Sequence, residues 1–178
     1  MSLSDADVIR QVRNGDVEAF AVLVDRHHDR LSRYALHLLG SRADAEEAVQ
    51  DAFVRAYRSL ERYDERDQFG AWVLRILVNR CRTVAARRHE FEPLEAASLV
   101  WLPGEDPVDA MAVREELGHA LAQLPGDQRE AIALRFGEEL SFDEMATITG
   151  AGVSALKMRV RRACERLRAL LEESRART

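Results

Sequence analysis

The chain has 178 residues, of which 47% are hydrophobic and 6% aromatic, with a formal net charge of −5. This length allows one domain or two small ones with a sizeable core. The sequence has no signal-peptide pattern and no long apolar run, which argues against a membrane protein, so we expect a soluble, cytoplasmic protein without membrane contact. Ala, Leu, Arg and Glu dominate and strand-like alternation is hard to find, which predicts an all-α fold.

The negative charge is concentrated in one segment. Residues 89–116 hold eight acidic side chains and one basic side chain, whereas the parts before and after them each carry a net charge of +1. Within this segment, residues 89–106 lose helical periodicity and contain two prolines and a glycine, which indicates a flexible acidic linker. We therefore expect two small helical domains, residues 1–88 and 107–178.

Four helices are predicted in the first domain from apolar residues that recur at steps of three and four. They cover residues 4–14, 17–39, 42–60 and 69–88. Ser4 and Asp7 fit a capping box at the first start. The third helix exposes an acidic face, which is either an ordinary well-charged helix start or a docking face for a basic partner. The fourth is rich in arginine and has no acidic residue.

The second domain is predicted to end in a helix-turn-helix. Ser141 and Glu144 fit a capping box, Gly150 is placed to end that helix, and Ser154 is placed to cap the next one, which runs to about Leu171. The second helix has one apolar stripe and many basic side chains on its other faces. This pattern is typical of DNA binding in the major groove, whereas the alternative is a helical hairpin with a solvated arginine face.

No pattern for an enzyme or a metal site is present. Cys81 and Cys164 lie far apart without CxxC spacing, and the five histidines are scattered along the chain. Neither a glycine-rich phosphate loop nor a Ser/His/Asp or Cys/His arrangement can be assembled. We therefore expect no cofactor, no metal and no catalytic activity.

Five motifs follow one another in an order that resembles a known family. They are NGDVEAF from Asn14, DAEEAVQDAF from Asp44 with RAY after it, FGAWVLRI from Phe69 with Asn79, Leu124-Pro125 with Arg129 and Leu134-Arg135, and the helix from Val153 to Arg168. With these motifs in this order, the whole chain resembles the extracytoplasmic-function sigma factors, the small two-domain class of bacterial sigma factors. The resemblance implies a protein that binds core RNA polymerase and directs initiation at promoters.

The resemblance also implies roles for particular residues. Docking on the polymerase is implied for four residues of the third helix: Asp44, Glu47, Gln50 and Asp51. Recognition and opening of the −10 element are implied for the fourth helix: Trp72 and Arg75 in support, and Asn79, Arg80 and Arg82 as DNA contacts. Contacts to the −35 element are implied for the last helix: Ser154, Lys157, Met158, Arg159, Arg161 and Arg162.

The implied partners are core RNA polymerase, promoter DNA and an anti-sigma factor, with the chain a monomer when unbound. Ala155 and Met158 depart from the family pattern because they lack two hydroxyl groups, so the −35 preference is expected to be unusual. Two alternatives are a sigma-like decoy that sequesters an anti-sigma factor and a free-standing helix-turn-helix regulator. The basic last helix argues against the decoy, and the acidic linker and the Asp44 helix are unexplained by the regulator.

Overall fold

The computed structural model describes residues 3–64, 68–88 and 108–176, and these ranges are helical without any strand. Their eight α-helices are α1 (Asp5–Arg13), α2 (Phe20–Leu39), α3 (Arg42–Ser59), α4 (Phe69–Arg88), α5 (Val108–Ala122), α6 (Gly126–Ile132), α7 (Phe142–Thr149) and α8 (Val153–Ala176). Short 3₁₀ turns precede α2 and follow α3, and a π-helical turn, Ala133–Gly137, continues α6. The predicted all-α fold is confirmed, while the predicted linker at 89–106 lies outside the described residues.

The helix ends form where local sequence specifies them. Ser4 and Asp7 make the predicted capping box at α1, and Ser141 and Glu144 make the second at α7. In each box the serine hydroxyl accepts from the third backbone N–H of the helix while the acidic side chain accepts from the serine N–H. Gly150 ends α7 in the left-handed conformation with φ of 71°, which a residue without Cβ adopts with little strain.

The last helix differs from its prediction at both ends. α8 begins at Val153, and the Leu156 N–H donates to the Gly152 carbonyl over 3.0 Å, so Ser154 lies inside the first turn and does not cap it. The helix also continues through the polar residues after Leu171 as far as Ala176.

Two groups of helices pack against each other. α1–α4 form one unit and α5–α8 the other; α4 packs on α7, and α2 packs on α6 and the π-helical turn. α4 is therefore buried on more than one side, and Val73, Leu74 and Val78 are fully buried. Leu77 and Cys81 are also fully buried, whereas Trp72 and Ile76 are only partly buried.

A buried arginine, Arg129, ties the two units together. Its guanidinium donates to the carbonyls of Leu121, Ala122 and Leu124, which lie at and just beyond the end of α5, and to the Leu38 carbonyl of α2 over 3.2 Å. An arginine has five N–H donors, and these bonds are made to carbonyls at two helix ends, where the helix itself leaves carbonyls without partners. Burial lowers the pKa of Arg129.

The buried side chain of His37 makes the stability of the fold depend on pH. Burial, with a smaller effect from Arg33, lowers its pKa from 6.5 to about 4, so the folded state holds the neutral ring. The unfolded chain binds the proton first, so stability is full above pH 6.5 and falls as the pH drops towards 4. Protonation of His37 is expected to lower the free energy of unfolding by about 3 kcal/mol. We expect His37→Leu to reduce this slope in urea unfolding measured from pH 4 to 7, whereas an unchanged slope would contradict the assignment.

Candidate nucleic-acid and polymerase interfaces

α7, a short turn and α8 build the predicted helix-turn-helix. Met145 and Ile148 of α7 are buried, as are Leu156 and Val160 of α8, so the two helices share a core. The Thr149 hydroxyl donates to the Met145 carbonyl over 2.7 Å and accepts from the Ala151 N–H over 3.2 Å. This bond pair fixes the turn, which in turn sets the direction in which α8 leaves.

The six predicted −35 residues lie on the first three turns of α8. Five of them are exposed: Ser154, Lys157, Met158, Arg161 and Arg162. The sixth, Arg159, is one-third exposed and its Nε lies 3.5 Å from the Asp127 carboxylate of α6. Arg161 pairs with Glu165 one turn later over 2.8 Å. The structure therefore brings all six to one end of one helix, with two of them held by carboxylates of the same chain.

An aromatic cluster forms the base of α4. Trp72 lies with its ring centroid 4.8 Å from Tyr63 and 5.8 Å from Phe69. Arg13 of α1 donates to the Leu60 carbonyl over 2.8 Å and to the Tyr63 carbonyl over 2.6 Å, which anchors the chain where it leaves α3. Trp72 is thus partly buried among the aromatic rings at the start of α4.

The remaining predicted −10 residues have different surroundings. Arg75 and Asn79 are exposed one turn apart on α4. Arg82 donates two hydrogen bonds to the Glu130 carboxylate of α6, from Nε to Oε2 and from Nη2 to Oε1, each over 2.7 Å. Its Nη1 also donates to the Thr149 carbonyl at the end of α7 over 3.0 Å. The hydrogen bonds to Glu130 raise the pKa of Arg82, which stays charged.

Arg80 points away from that surface and towards α3. Its Nη2 lies 3.0 Å from the Glu47 carboxylate, and its Nε lies 3.0 Å from the Asp51 carboxylate. Only 15% of the side chain is exposed. The structure therefore joins one residue predicted to contact DNA to two residues predicted to contact polymerase.

The predicted polymerase-docking residues lie on one side of α3. Glu47 and Gln50 are exposed, while Asp44 and Asp51 are partly buried. Beside them an apolar groove runs between α2 and α3, lined by Phe20, Val24, Val49, Phe53 and Val54, with Gln50 and Glu46 also at its wall. A groove of this kind next to charged side chains has the composition of a protein-binding surface.

Several contacting residues have no signal in the sequence. Glu130 and Glu138 carry the acidic side of the contact between the two helical units, and each is nearly buried. Glu138 pairs with Arg30 of α2, and burial raises its pKa. These partners lie 48 and 108 residues apart along the chain, so no local pattern reveals them.

The described ranges hold no cluster of three or more His, Cys, Asp or Glu side chains suited to a metal ion. Within the same ranges, no helix combines the length and the apolar character that crossing a bilayer requires.

Comparison with protein-family models gives two matches. Residues 23–90 match the model for Sigma-70 region 2, and residues 114–167 match the model for Sigma-70 region 4. Among curated proteins, the chain is 31% identical over 179 residues to the ECF RNA polymerase sigma factor SigW of Bacillus subtilis (strain 168), covering 93% of this chain and 95% of that protein. It is also 31% identical to the ECF RNA polymerase sigma-E factor of Haemophilus influenzae, with 92% and 93% covered.

Solved structures resemble the chain over most of its length. CnrH in complex with the cytosolic domain of CnrY matches with a TM-score of 0.70 and 28% identity, covering 93% of this chain and 96% of that one. The sigma factor RpoE in complex with the anti-sigma factor NepR from Bartonella quintana matches with a TM-score of 0.67 and 26% identity, covering 86% and 96%.

Proposed function

Since the chain belongs to the extracytoplasmic-function sigma factors, we propose that it binds core RNA polymerase and directs transcription initiation at promoters with −10 and −35 elements. In this role it supplies binding and positioning, and it makes or breaks no covalent bond itself. Such a partner of core polymerase acts in the cytoplasm.

One observation carries the proposal. The chain presents two arginine-bearing helices, α4 and α8, one in each helical unit, and each lies in the part that matches a sigma-factor region. A single basic helix supports DNA binding in general, whereas two of them separated by an acidic segment support contact with two promoter elements.

The work is divided among three surfaces. Polymerase docks on the α3 face that carries Asp44, Glu47, Gln50 and Asp51, with the neighbouring apolar groove adding contact area. α4 contacts the −10 element. The start of α8 contacts the −35 element, where arginines hold phosphates and a few other side chains recognise bases.

Opening of the −10 element requires unpaired bases to leave the stack, at a cost of roughly a few kcal/mol per base. Contacts with the docked polymerase offset this free-energy cost. Arg82 is suited to the task because the fork that holds a carboxylate also fits a phosphate. Its present partner, Glu130, must leave before DNA takes its place.

An anti-sigma factor is a further proposed partner. Among the solved structures that resemble this chain, CnrH is in complex with the cytosolic domain of CnrY, and RpoE is in complex with the anti-sigma factor NepR. The apolar groove between α2 and α3, next to Gln50, supports contact with such a protein as well as with polymerase.

Met158 is expected to set part of the −35 preference. Its side chain is 42% exposed on the first turns of α8 and offers apolar contact to a thymine methyl group. We expect Met158→Ser to lower the preference for thymine at one −35 position by about fivefold, which corresponds to roughly 1 kcal/mol, the low end of the cost of one mismatched base pair. Selection from promoters randomised at −35 measures this, and an unchanged base distribution would remove Met158 from recognition.

The proposal is tested by gel filtration with purified core RNA polymerase, followed by transcription from a promoter that depends on the complex. Co-elution and transcripts that require the chain support a sigma factor. Co-elution without transcripts on any template would point to an inactive or partner-requiring form, and failure both to co-elute and to bind DNA would favour a decoy. DNA binding without co-elution would favour a free-standing regulator.

A further inference from the structure

Arg80 occupies the seam between α3 and α4. Its guanidinium lies between two carboxylates. Its Nη2 is 3.0 Å from Glu47 Oε1, and its Nε is 3.0 Å from Asp51 Oδ2. Asp51 also accepts from Arg55 Nε over 2.8 Å. The arginine is only 15% exposed, whereas Glu47 is 69% exposed, so the cation lies inside and the carboxylate lies outside.

The two carboxylates need a cation between them. Glu47 and Asp51 are four residues apart on α3, so they lie one above the other on the helix surface and repel each other. Arg80 offsets that repulsion because it donates a hydrogen bond from Nη2 to Glu47 and forms an ion pair with Asp51, in which Nε makes no hydrogen bond. Without it, the exposed Glu47 side chain would turn towards solvent.

We propose that Arg80 is a positioning residue for polymerase docking, which holds Glu47 and Asp51 in the orientation that the polymerase meets. This assignment rests on the proposed function and replaces a DNA contact for Arg80. A guanidinium already bound by two carboxylates, and nearly buried, is poorly placed to reach a phosphate. The neighbouring Asn79 and Arg75 are exposed and remain the −10 side of the same helix.

The test measures polymerase binding and −10 binding separately. The full chain, labelled at exposed Cys164, is titrated with core polymerase in the absence of DNA, for the wild type, Arg80→Gln, Arg80→Lys, Glu47→Gln and the combined Glu47→Gln and Arg80→Gln variant. The assembled complexes are then titrated with a single-stranded −10 oligonucleotide at saturating chain. Thermal unfolding shows that each variant is folded.

Arg80→Gln is expected to weaken core binding about tenfold and to leave oligonucleotide affinity unchanged, because it removes the cation between two docking carboxylates. Arg80→Lys reaches only one carboxylate and is expected to show a loss of about threefold, which keeps the test valid if the glutamine variant fails to fold. Glu47→Gln combined with Arg80→Gln is expected to lose less than the two single losses added.

Unchanged core binding by both variants, with weaker oligonucleotide binding, would overturn the proposal and return Arg80 to the DNA contacts. Additive losses in the combined variant would show that Arg80 does not act through Glu47 and would also overturn it. Absence of core binding by the wild-type chain would instead refute the proposed function, and this proposal with it.

Discussion

Glu130→Gln is expected to separate the two helical units of the unbound chain. The Glu130 carboxylate is 7% exposed and holds Arg82 through two bonds of 2.7 Å, so removal of its charge breaks the strongest polar tie between α4 and α6. Hydrogen bonds to charged groups contribute roughly 1.5–3 kcal/mol, so the ratio of closed to open molecules should fall on the order of 50-fold.

Energy transfer between two dyes measures the separation. One dye sits on Cys164 and the other on Ala21→Cys, an exposed position of α2. Cys81 stays unlabelled because burial raises its pKa to about 12, and only the thiolate reacts. We expect lower transfer efficiency in the Glu130→Gln chain than in the otherwise unchanged chain.

Glu165→Gln is the matched control. It removes a carboxylate that pairs with Arg161 inside α8, away from the contact between the two units. It should leave transfer efficiency unchanged. Equal efficiencies for the Glu130→Gln chain and the unsubstituted chain would show that the Arg82 fork contributes little to the closed arrangement.

Arg162→Ala is expected to reduce −35-dependent initiation by about tenfold or more. Arg162 is exposed near the start of α8, and each lost phosphate contact also lowers the slope of affinity against salt by about one. Arg159→Ala should reduce −35-dependent initiation less than Arg162→Ala does, because Arg159 already pairs with Asp127 and must exchange that partner for a phosphate. Transcription at several salt concentrations measures both effects.

Arg168→Ala provides the control for this series. Arg168 is exposed on the same helix, six residues further along and therefore about 9 Å from Arg162. Its removal changes the net charge by the same amount. Equal losses for Arg162→Ala and Arg168→Ala would indicate a general charge effect and would contradict a −35 site at the start of α8.

The helix boundaries were predictable where the determinants are local. Ser141 with Glu144 and the left-handed Gly150 each depend on residues within one or two turns, and the structure forms both. Ser154 is the exception, since the Gly152 carbonyl accepts the first helical bond and the helix starts two residues earlier than a Ser154 cap would place it.

The surroundings of α4 were not predictable, because its partners are remote in sequence. A helix that packs on both α3 and α7 has no single apolar stripe, and Val73 and Val78 are both fully buried. The arginine count of α4 was plain in the sequence. Only the structure separates Arg80, held by α3, from Arg82, held by α6, and from exposed Arg75.

The contact between the two units combines charged pairs with buried apolar residues of both units, which belong to one core. Arg82 with Glu130 and Arg30 with Glu138 cross between the two units. Such pairs contribute little net stability compared with apolar surface of the same size, since each charge also loses its water on burial.

Run-off transcription with purified core RNA polymerase on a library of random promoters tests the central claim most directly. With the chain present, we expect transcripts whose templates share two conserved segments, one near −10 and one near −35, and no such transcripts with core polymerase alone. Transcripts that share no sequence, or none that depend on the chain, would contradict its action as a sigma factor that recognises two promoter elements.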